Sequence, residues 1–364
     1  MLPRVHVIAT GGTIASTPDE DGAAPSLSGE DLLDAVPDLE SEASLTVESV
    51  SQVPGFDMDF EIMAEVGERA RAAVESDGGG PDAGRQTASS EQSLASARDD
   101  AIVVTHGTDT MAETAYFLDL TRSLPVPVVL TGAQRRLDEP SSDAPSNLLG
   151  AVRAATHRRV EEGVFLAFDD ELHAARDVRK VHSHKLAAFA SPNDGPVATL
   201  TRDGVRFHRE PRSESVHLPV TETDADTDAG DDTRVEMVVS AAGVDGQQVE
   251  RALESGADGL VVAGTGLGNT TTELGEAIAD AVEEGTPVVL TSRCGAGATG
   301  AVYGTPGGGK TLQEAGAIPG GDLAPWKARL KLALALDVVA VAESEEGVNE
   351  VARYFEDSSE LRRD

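Results

Sequence analysis

The chain has 364 residues, with 64 Asp and Glu against 29 Lys and Arg and a formal net charge of −35. Its length predicts two domains and its 40% hydrophobic content can fill real cores, while so large an acid excess argues against nucleic acid or an anionic membrane as partner. No apolar run reaches the roughly 18–20 residues of a membrane span, and the single cysteine, Cys294, excludes an intrachain disulfide framework and a Cys-based zinc site.

Strand-like and helical patterns alternate from the start. The strand-like run Val5–Ala9 leaves no room for a signal peptide ahead of it. Helical patterns at Gly29–Val36 and Asp59–Glu75 follow, then the strand Ala101–Thr105, a helix over Met111–Leu120, the strand Val126–Thr131, a helix over Ala144–Thr156 and the strand Val164–Phe168. Continuous Val/Ile-rich strands separated by helices predict a mostly parallel sheet covered on both faces. The pattern then lapses into a short hairpin over Thr199–His208, turning at Asp203-Gly204. A second βα series begins at Val235–Ser240 and runs through Gly259–Ala263 and Pro287–Thr291 to helices near Leu323–Leu336 and Glu345–Phe355. The expected fold class is α/β: a large N-terminal domain over 1–208, a linker over 209–233 and a smaller C-terminal α/β domain over 234–364. The linker is acidic, its stretch Thr221–Thr233 lacking any large apolar residue, and the polar, Gly- and Ser-rich 76–99 reads as a surface insertion.

Ligands of open parallel sheets bind beyond the carboxyl ends of the strands. Two loops there are rich in hydroxyls: Thr10-Gly11-Gly12-Thr13-Ile14-Ala15-Ser16 and Thr105-His106-Gly107-Thr108-Asp109-Thr110. Glycines let backbone approach a substrate, free N–H groups can hold an oxyanion, and a threonine becomes a nucleophile once a base takes its proton. By itself, Gly-Gly-Thr also reads as a tight βα turn whose Thr caps the next helix.

Taken with Ala175-Arg176-Asp177-Val178-Arg179-Lys180, these loops resemble the bacterial-type L-asparaginase/glutaminase family. The resemblance extends through Val129-Leu130-Thr131-Gly132-Ala133-Gln134-Arg135 followed by Asp143-Ala144-Pro145-Ser146-Asn147-Leu148, a third substrate-side loop, and through Ser191–Pro196, Ala263–Asn269 and Lys327-Ala328-Arg329. It implies that Thr13 attacks the side-chain amide carbon, releasing ammonia and forming a β-aspartyl ester. Thr108, Asp109 and Lys180 would form a second triad, Lys180 taking or relaying the Thr108 proton. Ser51, Asp109, Ala133 and Asn269 would bind substrate, Asn269 by reaching a neighbouring subunit's site in a homodimer or homotetramer. The resemblance implies a reaction without cofactor or metal, while the lack of room for a signal peptide and of any membrane-spanning run makes cytoplasmic residence the expectation.

This sequence also departs from the family. Many members carry a tyrosine on the mobile loop after the first threonine, whereas Thr17–Ser28 contains none and the matching position falls near Gly22. Activation of Thr13 would then fall to another group, His106 or a hydroxyl outside that loop. For the substrate carboxylate, Gly55-Phe56-Asp57-Met58 is the alternative anchor to Ser51, and no glutamate stands between Gly295 and Tyr303 as companion to Asn269.

Two motifs compete with this reading. Gly264-x-Gly266-x-Gly268 follows a strand, but Asn269 occupies the place of the third glycine of a dinucleotide loop. The stretch from Gly304 to Thr311 satisfies the phosphate-loop pattern GxxxxGK[ST], yet it follows a glycine-rich segment rather than a strand, and Gly316 and Pro319 cut its helix short. His182 and His184 lack the partners of a zinc site.

The expected function is hydrolysis of L-asparagine to L-aspartate and ammonia. The alternatives are an amidase like the archaeal glutamyl-tRNA amidotransferase D subunit, which carries a further domain ahead of this core, and an amino-acid-binding module with a degraded site. Only five basic residues are Lys, and the acids spread along the whole chain. Repulsion at that density fades in about 1 M salt, where the Debye length is roughly 3 Å, so the composition reads as salt-adapted.

Overall fold

The structure is a computed structural model that describes residues 2–19, 22–75, 99–212, 215, 217–219, 233–341 and 348–360. In chain order the first half contains β1 (Arg4–Gly11), the hairpin β2 (Ser16–Asp19) and β3 (Gly22–Pro25), α1 (Gly29–Asp34), β4 (Ser44–Val53), α2 (Phe60–Glu75), β5 (Ala101–Thr105), α3 (Met111–Thr121), β6 (Val128–Thr131), α4 (Ala144–Ala155) and β7 (Val164–Phe168). Then come β8 (Glu171–Ala174), the two-residue strands β9 (Arg179–Lys180) and β10 (Phe189–Ala190), and the hairpin β11 (Ala198–Thr201) and β12 (Gly204–Phe207).

Eight of these strands form one sheet in the order β12-β11-β8-β7-β6-β5-β1-β4. The run from β4 to β7 is parallel, and β8, β11 and β12 close the sheet antiparallel. Strand alternation divides the apolar side chains between two layers. Ile102, Val104, Val128, Leu130, Val164 and Leu166 face α2 and α3, while Val103, Val129, Phe165 and Ala167 face Leu148, Val152 and Ala155 of α4.

The second half holds a parallel four-stranded sheet, β13 (Val235–Val239), β14 (Gly259–Gly264), β15 (Val288–Ser292) and β16 (Ile318–Pro319). Helices α5 (Gln247–Glu254) and α6 (Thr272–Glu283) cover one face. The short α7 (Gly309–Glu314) precedes α8 (Pro325–Val341) and α9 (Val348–Glu360). Helix α8 lies between the two sheets: it packs on α3 of the first half and on β13, β14 and β15 of the second. Its near-continuous burial accounts for its apolar character on all sides.

The sequence pattern misses β4. Its residues, Ser-Leu-Thr-Val-Glu-Ser-Val-Ser-Gln-Val, are half exposed because it is the sheet's edge, so no apolar run marks it. The hairpin also turns one residue earlier than expected. Thr201 pairs with Gly204, leaving Arg202-Asp203 at the tip and Gly204, at φ +135°, opening the return strand. Most of the stretches 76–99 and 209–233 lies outside the described residues. Within the latter, Arg209 pairs with Asp177 at 2.7 Å, and Leu218 is buried with its N–H on Leu120 O. The predicted linker is therefore packed against the large sheet's layer at these positions.

Candidate active site

The chain leaves β1 toward β4 on one side and leaves β5 toward β6 on the other, so a topological switch point falls between β1 and β5. The loops beyond these strands meet through three glycines. Gly12 has φ +78° and ψ −172°, and a Cβ there would stand 2.3 Å from Gly107 Cα. A Cβ on Gly107 would stand 2.5 Å from Gly55 Cα. Only hydrogen at these positions lets the loops after β1, β4 and β5 touch main chain to main chain. Gly12 N–H donates to Val53 O at 3.0 Å, and the Thr110 hydroxyl donates to Gly55 O.

Thr13 opens a single 3-10 turn, Thr13–Ala15, directly after Gly12. Ile14 and Ala15 anchor that turn in a small cluster with Leu32, Ala133 and Ala144. The β2–β3 hairpin follows at once, tied back by Ser16 Oγ to Gly12 O at 2.8 Å and by Ser26 and Leu27 N–H to Ala15 O. Among the described residues nothing hydrogen-bonds the Thr13 hydroxyl.

Across the glycine contact, Lys180 Nζ lies 2.8 Å from Thr108 Oγ1 and 2.7 Å from Asp109 Oδ1. Thr108 is buried, the Lys180 side chain is 15% exposed and that of Asp109 is 54% exposed. The cluster thus runs from a buried hydroxyl to a solvent-facing carboxylate. Asp109, Glu113, Lys180, His182 and Trp326 line a cavity of about 410 Å³ beside it. Burial pushes the Glu113 carboxyl up to about 7, against the pull of Lys327.

His106 does not replace the absent tyrosine. Its ring is fully buried, with Nδ1 2.7 Å from Gly107 O and Nε2 2.8 Å from Thr114 Oγ1. A carbonyl only accepts, so Nδ1 carries the proton and Nε2 accepts from Thr114. Burial pushes the ring's pKa down to about 4, leaving a neutral imidazole with both nitrogens occupied by the scaffold. Tyr116, the first tyrosine of the chain, is buried in α3.

The remaining candidate residues sit at differing distances from this cluster. Ser51 lies on β4, where its hydroxyl donates to Thr10 O at 3.0 Å, and the Gly55–Asp57 turn is the part of this segment that meets Gly107. Ala133 is fully buried against Ile14 and Ala15. Asn269 belongs to the smaller sheet's loops: its Oδ1 accepts from Gly309 N–H at 3.0 Å and its main chain closes on Thr265. That places it in the service of its own domain within one chain.

The family resemblance takes in Asp143 and Asn147 as part of the Ala133 loop without giving either a role, and in the structure they are the residues that fix it. Asp143 accepts from Gln134 N–H and Arg135 N–H through its two oxygens and from Asn147 Nδ2, while Asn147 also donates to Gly132 O. An Asp just ahead of Ala-Pro at a helix start was the available signal. The phosphate-loop-like stretch is engaged in internal contacts. Gly304–Thr311 leads into a six-residue helix, Lys310 is exposed beside Glu314, and the Gly309 N–H is held by Asn269.

The profile of the family described as Asparaginase, N-terminal matches residues 4–80 and 86–213, and that of the Glutaminase/Asparaginase C-terminal domain matches 234–346. A probable L-asparaginase of Deinococcus radiodurans is 37% identical over 94% of this chain and 95% of its own. The D subunit of the glutamyl-tRNA(Gln) amidotransferase of Pyrococcus abyssi is 34% identical, over 91% of this chain and 71% of its own. The crystal structure of a probable cytoplasmic L-asparaginase from Campylobacter jejuni superposes with a TM-score of 0.78 at 28% identity, covering 97% of this chain and 99% of that one. The protein is thus an enzyme of the amidohydrolase class. More narrowly, the chain belongs to the asparaginase family, both of whose domains it carries. Among the described residues no helix is long and apolar enough to cross a membrane.

Proposed function

We propose that the chain hydrolyses L-asparagine to L-aspartate and ammonia through a threonyl acyl-enzyme. The carrying observation is Lys180 Nζ seated between Thr108 Oγ1 and Asp109 Oδ1, two residues on a loop in main-chain contact with the one that bears Thr13. Thr13 Oγ1 attacks the amide carbon, its proton leaves with the departing ammonia, and water then opens the ester to regenerate the hydroxyl. Thr108 and Lys180 carry protons during these steps, with Lys180 as the free amine when it accepts. Asp109, the exposed end of the cluster, receives the substrate's α-ammonium group. Ser51, Ala133 and, from a second copy, Asn269 complete the substrate contacts in a cytoplasmic homodimer or homotetramer.

The test is ammonia release from asparagine and glutamine at several salt concentrations. Thr13→Ala, Thr108→Val and Lys180→Met should each lower kcat by about 10²–10⁴-fold, the span of positioned acid–base and nucleophilic groups. Thr108→Val retaining most of the wild-type kcat would remove Thr108 from the mechanism. We also propose that the −35 charge is a surface adaptation to molar salt, so that assembly and activity fall away near ~50 mM. A fully active oligomer at that ionic strength contradicts it.

The likeness to amidotransferase D subunits supports a second reading, in which the released ammonia serves glutamyl-tRNA. An asparagine turnover that depends on added tRNA and a partner protein would favour it, and the acidic surface speaks against it.

A further inference from the structure

Lys180 stands on a weak piece of secondary structure. Strand β9 is two residues long and, among the described residues, pairs only with the equally short β10, outside the main sheet. An isolated two-stranded ladder is marginally stable at best, and this one has two residue pairs. The main chain ahead of it is instead held by the smaller domain. Residues 174–178 make one tight turn, with Asp177 and Val178 N–H both on Ala174 O. The carbonyls of that turn converge on Lys327 of α8, whose Nζ donates to Ala175 O at 2.6 Å, Arg176 O at 3.0 Å and Val178 O at 2.6 Å. Arg179 continues the grip, donating to Gly295 O at 3.0 Å and to Asp322 O.

Lys327 is fully buried and stands over the Tyr116 ring at 5.4 Å. Burial pushes its pKa down to about 7, with Arg176 and Arg179 pushing the same way and Glu113 and Asp177 opposing. Three carbonyl acceptors at hydrogen-bond distance require three N–H donors, which only the ammonium supplies. Taking such a charge out of water is costly, and an apolar residue of similar volume would commonly serve stability as well or better. The side chain makes sense as a fixture for the main chain it holds.

We propose that Lys327 is a positioning residue for the amidohydrolase reaction: from the smaller domain it fixes residues 175–178 and thereby seats Lys180 on Thr108 and Asp109. This rests on the reading of Lys180 as a proton-transfer group. Loss of Lys327 frees three carbonyls immediately before β9, and a displacement of about 1 Å at a catalytic group costs roughly 10²-fold in rate.

The test is a double-mutant cycle with asparagine as substrate. Folded Lys327→Met should lose about 10²-fold in kcat with KM within about threefold, because the group acts on chemistry and touches no substrate. Lys180→Met/Lys327→Met should be no slower than Lys180→Met alone, since a residue acting through Lys180 has nothing left to act on. Lys331→Met, one turn along α8 and over the Phe355 ring at 5.0 Å, should keep kcat within about twofold whatever it does to stability. If Lys327→Met does not fold, Lys327→Gln, which keeps two N–H donors, takes its place in the cycle. Near wild-type kcat in the Lys327 variant, or losses that multiply in the double variant, overturns the proposal. A fully active Lys180→Met overturns instead the reading on which it rests.

Discussion

The contact of Gly12 with Gly107 offers the most direct test of how the site is assembled. An alanine Cβ at position 12 would stand 2.3 Å from Gly107 Cα and 2.4 Å from Gly107 N. Ordinary van der Waals contact begins at 3.4 Å, and both obstructing atoms are main chain, so the two loops must part by about 1 Å. The backbone at Gly12, φ +78° with ψ −172°, is in addition a conformation close to glycine-only. Strain of about 1–3 kcal/mol and overpacking of about 1–3 kcal/mol predict a loss of ~2–6 kcal/mol for Gly12→Ala. Parting the loops should also separate Thr13 from Thr108 and lower kcat by roughly 10²-fold. Gly256→Ala is the control: φ there is +81°, with nothing within 4 Å of the place a Cβ would take. It should cost about 1 kcal/mol and leave kcat unchanged. Urea midpoints and ammonia release from asparagine, measured on both variants, give the two quantities. A Gly12→Ala protein with wild-type kcat, no less stable than Gly256→Ala, would refute the reasoning.

Two further outcomes follow from buried polar groups. Asp143→Ala removes the acceptor of three N–H donors that shape the loop around Ala133; it should cost ~2–4 kcal/mol and raise KM more than it lowers kcat. Unchanged KM and stability would dismiss Asp143 as a support. His106 is held neutral with its pKa pushed from 6.5 down to about 4, so its stability contribution is full above pH 6.5 and is lost as pH falls through 4. That contribution is about 3 kcal/mol, and His106→Gln should flatten the fall in urea midpoint between pH 7 and 4.5 relative to wild type. Equal slopes in the two proteins would show that His106 titrates normally in the folded state.

How far the sequence reaches depends on whether a signal is local. Strand runs such as Ala101–Thr105 and Val164–Phe168 coincide with β5 and β7, because strands buried on both faces consist of uninterrupted apolar residues. Strand β4 has one side at the sheet's edge and left no such mark. The glycine- and hydroxyl-rich loops were legible as loops beyond strand ends, but their contact at Gly12, Gly107 and Gly55 joins residues more than 40 positions apart.

The amino-acid sequence by itself determined the acidic surface, the two α/β halves, the absence of a disulfide framework and the threonine, aspartate and lysine types available for chemistry. These are properties of composition and of short periodic patterns, which need no knowledge of what lies across the chain. The family resemblance implied that Lys180 meets Thr108 and Asp109, and the tertiary structure supplies the distances; it alone decided that His106 is walled into the scaffold with both nitrogens engaged. It also decided that Lys327, from a helix shared by both sheets, holds the turn ahead of Lys180. Each of these depends on distances between segments far apart in the chain, and only packing of the two sheets around α8 sets them.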